Sequence, residues 1–271
     1  MHAARDGSIF RDADMPSIAI VSPCGGTGRT TLCASLAMLA ARTGVWSLAV
    51  ECDPQNLLAL HFGAEQPPAE GLASRAARGL AWNTAALAAS DGTLILPFGA
   101  MDAPAKVDWE RRLIADPDWL AARLDTLAPP ADGWTFIDTP RAPSILTRQA
   151  IRAANSVLLV LRADGASTAL LDSALLAVQE KPVLAVINAF DPARTLQADV
   201  AAALYRRLGD RLSPYPIHRD DAIPEAFARR MSPEDHAAHA EVIQDLHGLL
   251  VWIRRQCTDL NEPRTGSNVQ Q

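Results

Sequence analysis

Pro23-Cys24-Gly25-Gly26-Thr27-Gly28-Arg29-Thr30-Thr31 is the stretch on which the reading of this chain turns. It follows an apolar run, Ile18-Ala19-Ile20-Val21, and opens onto Thr31-Leu32-Cys33-Ala34-Ser35-Leu36-Ala37, which has helical character. Strand, glycine loop and helix in that order give such a frame its physical meaning. The glycines let main-chain N–H groups curl around phosphate oxygens, and the helix N-terminus adds a favourable dipole. The chain is therefore expected to hold a nucleotide. The lysine that normally closes the loop is absent, and Arg29 stands in its place.

A chain of 271 residues accommodates one large α/β domain or two small ones. Its formal net charge of −6 argues against overall electrostatic affinity for nucleic acid. The four cysteines show no CxxC pair and no metal-ligand spacing, as expected of reduced thiols in the cytoplasm. No apolar run approaches the roughly 18–20 residues that span a bilayer. Residues 1–14 are polar with charges of both signs, unlike a signal peptide. They are expected to be disordered, as is the polar tail 258–271, leaving a domain over 15–257. Among the 25 Lys and Arg residues only Lys106 and Lys181 are lysines, so no lysine close in sequence replaces the missing one.

Apolar runs of strand length alternate with Ala- and Leu-rich helical stretches. Strands are expected at Ile18–Ser22, Ser47–Glu51, Leu94–Pro97, Thr135–Asp138, Val157–Leu161, Val183–Asn188 and, more weakly, Leu212–Ile217. Their nearly continuous hydrophobicity suits strands buried on both faces. Helices are expected at Thr30–Arg42, Trp119–Leu127, Ser144–Ala153, Thr168–Gln179, Ala198–Leu208 and Ala237–Arg255. This alternation predicts an α/β fold: a doubly wound, mainly parallel sheet with helices on both faces and ligands at the carboxyl ends of its strands. The stretch Gly63–Trp119 is the least regular and reads as an insertion-prone face.

Four segments fall in the order a P-loop ATPase needs. In the loop, Thr30 occupies the position whose hydroxyl reaches Mg²⁺, and Thr31 can bond to the α-phosphate. Glu51-Cys52-Asp53-Pro54-Gln55 follows the second strand and offers carboxylates to orient an attacking water or the metal's waters. Trp134–Pro140 is an apolar strand ending in Asp138, suited to a Mg²⁺-bound water. Val186-Ile187-Asn188 ends a strand in an amide able to hydrogen-bond adenine.

Together these segments resemble the MinD/ParA family of deviant-loop P-loop ATPases, a SIMIBI/MinD-like group, from Ile18 to about Arg255. Asn56–Gly63 and Ile217–Ala222 are similar to the BcsQ branch encoded in bacterial cellulose synthase operons. The resemblance implies ATP and Mg²⁺ sandwiched in a homodimer. It implies an assembly or positioning factor for a cellulose synthase complex at the inner membrane, cytoplasmic and peripheral through partners that include a small regulatory subunit. Gly25, Gly26, Thr27, Gly28, Arg29, Thr30 and Thr31 would hold the phosphates and Asn188 the base. Thr30, Asp53 and Asp138 would manage the metal, and Asp53 and Arg29 any catalysis. Departures matter too. Cys24 replaces the lysine that would cross the dimer interface, Arg29 the loop lysine, Glu51 the first Asp of the DxD pair and Pro23 the first glycine. Losing a well-placed cation commonly costs on the order of 100-fold in rate, so hydrolysis is expected to be slow or absent.

The alternatives are a cycling MinD/ParA-type ATPase that positions a membrane- or DNA-associated cargo, and an empty relic that binds no nucleotide. Arg141 and Arg162 follow strand ends and are stand-in cations if not surface residues. His236 and His239 are expected on a solvated face, the 237–255 helix docked on the core, and Arg141, Arg148 and Arg152 on an exposed helix face.

Overall fold

Strands rich in Ile, Val, Leu and Ala that lack charges along their length can be buried on both sides only between two layers of helices. The computed structural model, which describes residues 16–127, 130 and 132–261, has that three-layer form. The chain runs β1 (Ser17–Val21), α1 (Arg29–Arg42), β2 (Ser47–Glu51), α2 (Leu72–Ala77), β3 (Leu87–Ala88), β4 (Leu94–Leu96), α3 (Ala103–Ala115), α4 (Trp119–Leu124) and β5 (Trp134–Asp138). It continues through α5 (Ile145–Ala153), β6 (Ser156–Leu161), α6 (Gly165–Ala177), β7 (Val183–Ile187), α7 (Thr195–Leu208), α8 (Ala222–Ala228), α9 (Pro233–Ala237) and α10 (Glu241–Asn261).

The sheet order is β3-β4-β2-β5-β1-β6-β7, parallel throughout except for β3 against β4. β1 pairs with β5 on one side and β6 on the other, so its carboxyl end is the point where successive connections diverge. Ligands settle at such a point in open α/β sheets. Alternation along β1 assigns the faces. Ile18 and Ile20 share a core with α1 and α10, whereas Ala19 and Val21 pack with Ala150 and Ile151 of α5. α6 and α7 close a further core over β6 and β7. Val242, Leu246, Leu249, Leu250 and Ile253 are all buried, so α10 docks on the core as its spacing predicts.

Several boundaries differ for identifiable reasons. α6 begins three residues early because Asp164 caps it, accepting from Ser167 N at 2.8 Å. Leu212–Ile217 does not form a strand. Pro214 and Pro216 lack the N–H groups a ladder needs, and the segment instead lies along β7 through Ser213 N to Ala185 O (2.8 Å) and Ile217 N to Ile187 O (2.9 Å). The irregular stretch contains α2, α3 and two short strands, held by a small core in which Trp109 meets Trp119 edge-on at 4.7 Å. α10 reaches Asn261, into the expected tail; residues 1–14 and 262–271 lie outside the described residues.

Candidate functional site

The loop leaves β1 at the divergence point and turns into α1 through two left-handed glycines, Gly26 (φ 66°) and Gly28 (φ 89°). A side chain at Gly28 would be strained by its φ and would also place a Cβ 2.3 Å from Asn188 Nδ2. Around Gly25 and Gly26 the space is open: an added Cβ would meet nothing within 4 Å. Gly28 caps α1 without a side-chain acceptor, and no acidic residue occupies the helix's first turn. The first N–H groups of α1 therefore lack intrahelical acceptors and face a site that favours an anion.

Asn188, at the end of β7, sits against this loop. Its Nδ2 donates to Thr27 O at 2.7 Å, bracing the turn between the two left-handed glycines. Arg29 is buried, and its guanidinium is tied back into the protein. Nε donates to Thr139 O at 2.9 Å and one terminal nitrogen donates to Cys24 O at 2.7 Å. Burial lowers its pKa, while Asp138 and Asp53 act in the opposite direction. Nearby Arg141 lowers it further but is itself exposed, and Arg162 lies 3.6 Å from Asp164.

The acidic side of the site is formed by neighbouring strand ends. Asp138 of β5 is in register with Ile20 of β1 and Glu51 of β2. It is fully buried, and among the described residues neither carboxylate oxygen has a hydrogen-bond partner. Desolvation, then the Glu51 charge, holds its carboxyl well above the usual range; the Thr30 hydroxyl and the Arg29 charge pull the other way. Thr30 thus lies near enough to influence Asp138 while falling short of hydrogen-bond geometry. Burial pushes Glu51 up to about 7, against hydrogen bonds from Leu58 N (2.8 Å) and Phe98 N (3.3 Å) that favour its charged form. Glu51 therefore clamps two loops together. Asp53, also buried, accepts from Gln55 N at 2.9 Å and so fixes the turn after β2.

Two unpaired oxygens on a fully buried carboxylate, behind an open glycine loop, are what a small hard cation would satisfy. Among the described residues no cluster of three or more His, Cys, Asp or Glu forms a metal cage. Mg²⁺ does not require one, since it is commonly bound by one or two carboxylates together with phosphates and water. The residues present therefore fit Mg²⁺ with a nucleotide. The structure brings the expected loop residues, Asp53, Asp138 and Asn188 together. Thr139 was not foreseen: its carbonyl anchors Arg29 and its hydroxyl donates to Ile20 O at 2.7 Å. Outside the site, His236 contacts Glu225 at 3.0 Å, Arg152 pairs with Asp118, and Arg148 is exposed.

Residues 15–253 match the model of the family described as cellulose biosynthesis protein BcsQ. A putative cellulose biosynthesis protein BcsQ of Escherichia coli (strain K12) is 27% identical over 248 residues, covering 88% of this chain and 97% of that one. The septum site-determining protein MinD of Pyrococcus horikoshii OT3, complexed with Mg-ADP, superposes with a TM-score of 0.74 at 21% identity, over 92% of this chain and 100% of that chain. An ATP complex of Cyanothece McdA gives a TM-score of 0.74 at 18% identity, over 89% and 96%. The two structural likenesses establish the MinD/ParA-type P-loop fold.

Proposed function

The chain belongs to the BcsQ family of cellulose biosynthesis proteins, and from that premise we propose that it is a nucleotide-dependent assembly or positioning factor for a cellulose synthase complex. In this reading ATP and Mg²⁺ are held between two copies of the chain. The composite surface recruits the synthase and a small regulatory subunit, keeping a cytoplasmic protein peripheral at the inner membrane. Among the described residues no helix is long and apolar enough to cross a membrane.

The observation that carries the reading is the fully buried, unpaired carboxylate of Asp138 behind the open glycine loop. The relatives with bound Mg-ADP and ATP support the same ligands here. Main-chain N–H groups from Gly25 to Thr31 bind the phosphates, and Thr30 and Asp138 hold the metal's coordination shell. Asp53 orients water, and Asn188, its Nδ2 engaged by the loop, offers Oδ1 to adenine. Mg²⁺, when bound, supplies charge neutralisation to the phosphates. Slow or absent hydrolysis follows from Arg29, which donates to Thr139 O and Cys24 O, and from the lack of a lysine at position 24. ATP then acts mainly by stabilising one assembly state over another.

Calorimetry of the full chain with ATP, with and without Mg²⁺, tests the reading. Saturable binding strengthened by Mg²⁺, with dimerisation by light scattering, is expected; absence of heat with ATP and ADP at millimolar levels would overturn it. The MinD and McdA likenesses favour a second reading, a cycling ATPase. Rapid phosphate release on adding a partner would select it.

A further inference from the structure

α5 and α6 lie side by side on one face of the sheet, but they do not close on each other. Between them is a channel of about 330 Å³. Its lining includes Val21, Ile151 and Val178, which are nearly fully buried, and Leu176, Ala177 and Arg148, which are exposed. The volume falls at the lower end of the range for small-molecule sites, about 300–1,000 Å³.

The charges around it are uneven. Arg152 is committed to Asp118 (2.7 Å) and also feels Glu180, the one acid lining the channel among the described residues. Arg148 has neither an ion-pair partner nor a hydrogen-bond acceptor for its side chain among the described residues. One helical turn before Arg148, Ser144 Oγ accepts from Leu146 N at 3.2 Å and keeps its own proton to donate. An apolar trough with an uncommitted guanidinium and a free hydroxyl matches one kind of occupant. We propose that the α5–α6 channel binds a small anionic amphiphile, an acidic group on a short apolar body, with Arg148 as its ion-pair partner. The apolar body displaces water from Leu176 and Ala177, exposed apolar side chains of the lining, and the acidic group lies away from Glu180. The lining also includes Pro23, which leads into the glycine loop.

Octanoate serves as the probe and octanol as its uncharged counterpart, titrated calorimetrically into the full chain without nucleotide. The result is thus independent of whether ATP binds. Octanoate is expected to saturate one site per chain with a Kd below about 1 mM, with octanol at least tenfold weaker. Arg148→Gln, an exposed substitution, should weaken octanoate at least tenfold and leave octanol unchanged. Ala177→Trp, placed at an exposed wall position, should abolish both. Equal binding of octanoate and octanol, or octanoate binding indifferent to both variants, overturns the proposal. So does binding to phosphatidylglycerol vesicles with none to free octanoate, which would make the face a bilayer contact.

Discussion

Arg29 Nε donates to the main-chain carbonyl of Thr139 at 2.9 Å, so the loop's basic side chain is fastened to the residue next to Asp138. The same guanidinium reaches back to Cys24 O at 2.7 Å and closes the loop on itself. The cation therefore ties two strand ends together through neutral acceptors, and under the proposed function the phosphate contacts would fall to main-chain amides.

Arg29→Ala should destabilise the nucleotide-free protein by about 1–3 kcal/mol, because it leaves buried carbonyls unsatisfied. Thermal and urea unfolding would check this. The drop in ATP affinity should be smaller than for a phosphate-contacting lysine, within about tenfold. A larger loss of affinity with unchanged stability would mean that the guanidinium swings out to the nucleotide.

Asp138→Asn removes an unpaired carboxyl from a site where burial and Glu51 both oppose its charge. The variant should unfold at equal or higher urea concentration than the parent. It should also lose the Mg²⁺-dependent part of ATP affinity, measured as the ratio of Kd values with and without the metal.

Glu51 gives a pH dependence of known sign. Its folded pKa is raised to about 7 from an ordinary value of 4.5, so the folded state binds the proton more tightly than the unfolded chain. Stability from this group is full below about pH 4.5 and is lost as pH rises through 7, by about 3 kcal/mol at most. Glu51→Gln should flatten that slope in urea titrations between pH 5 and 8.

Gly28→Ala places a methyl 2.3 Å from Asn188 Nδ2 at a φ of 89°. A loss of about 1–3 kcal/mol is expected from the backbone strain alone, with more from the clash. In a double-mutant cycle, Asn188→Ala should recover the clash but not the strain. Purely additive losses would show that the amide yields freely.

Much of the sheet was legible because buried parallel strands must be apolar along their length, as Ile18–Val21 and Val157–Leu161 are. The loop was legible for a different reason: glycines with positive φ and a following helix constrain local chemistry strongly. Glu51 was harder. Its sequence position suggests a carboxylate beside the phosphates, yet its hydrogen bonds to Leu58 N and Phe98 N come from loops that sequence periodicity does not locate. Asn188 carried a base-reading expectation, and only the fold reveals that its amide spans 161 residues to grip Thr27. α3 falls in the 63–119 stretch, where helices were expected among Pro, Gly and Asp without bounds; Pro104 suits its first turn and Asp102 caps it through Ala105 N.

The 212–218 segment has a consequence for how the molecule meets its neighbours. By lying along β7 with prolines at 214 and 216, it leaves that margin without a regular row of donors to recruit another strand. The opposite margin is only the two-residue β3. Sheet-to-sheet extension is disfavoured at both borders, so contacts between copies should form through helices and loops, among them the phosphate-loop face.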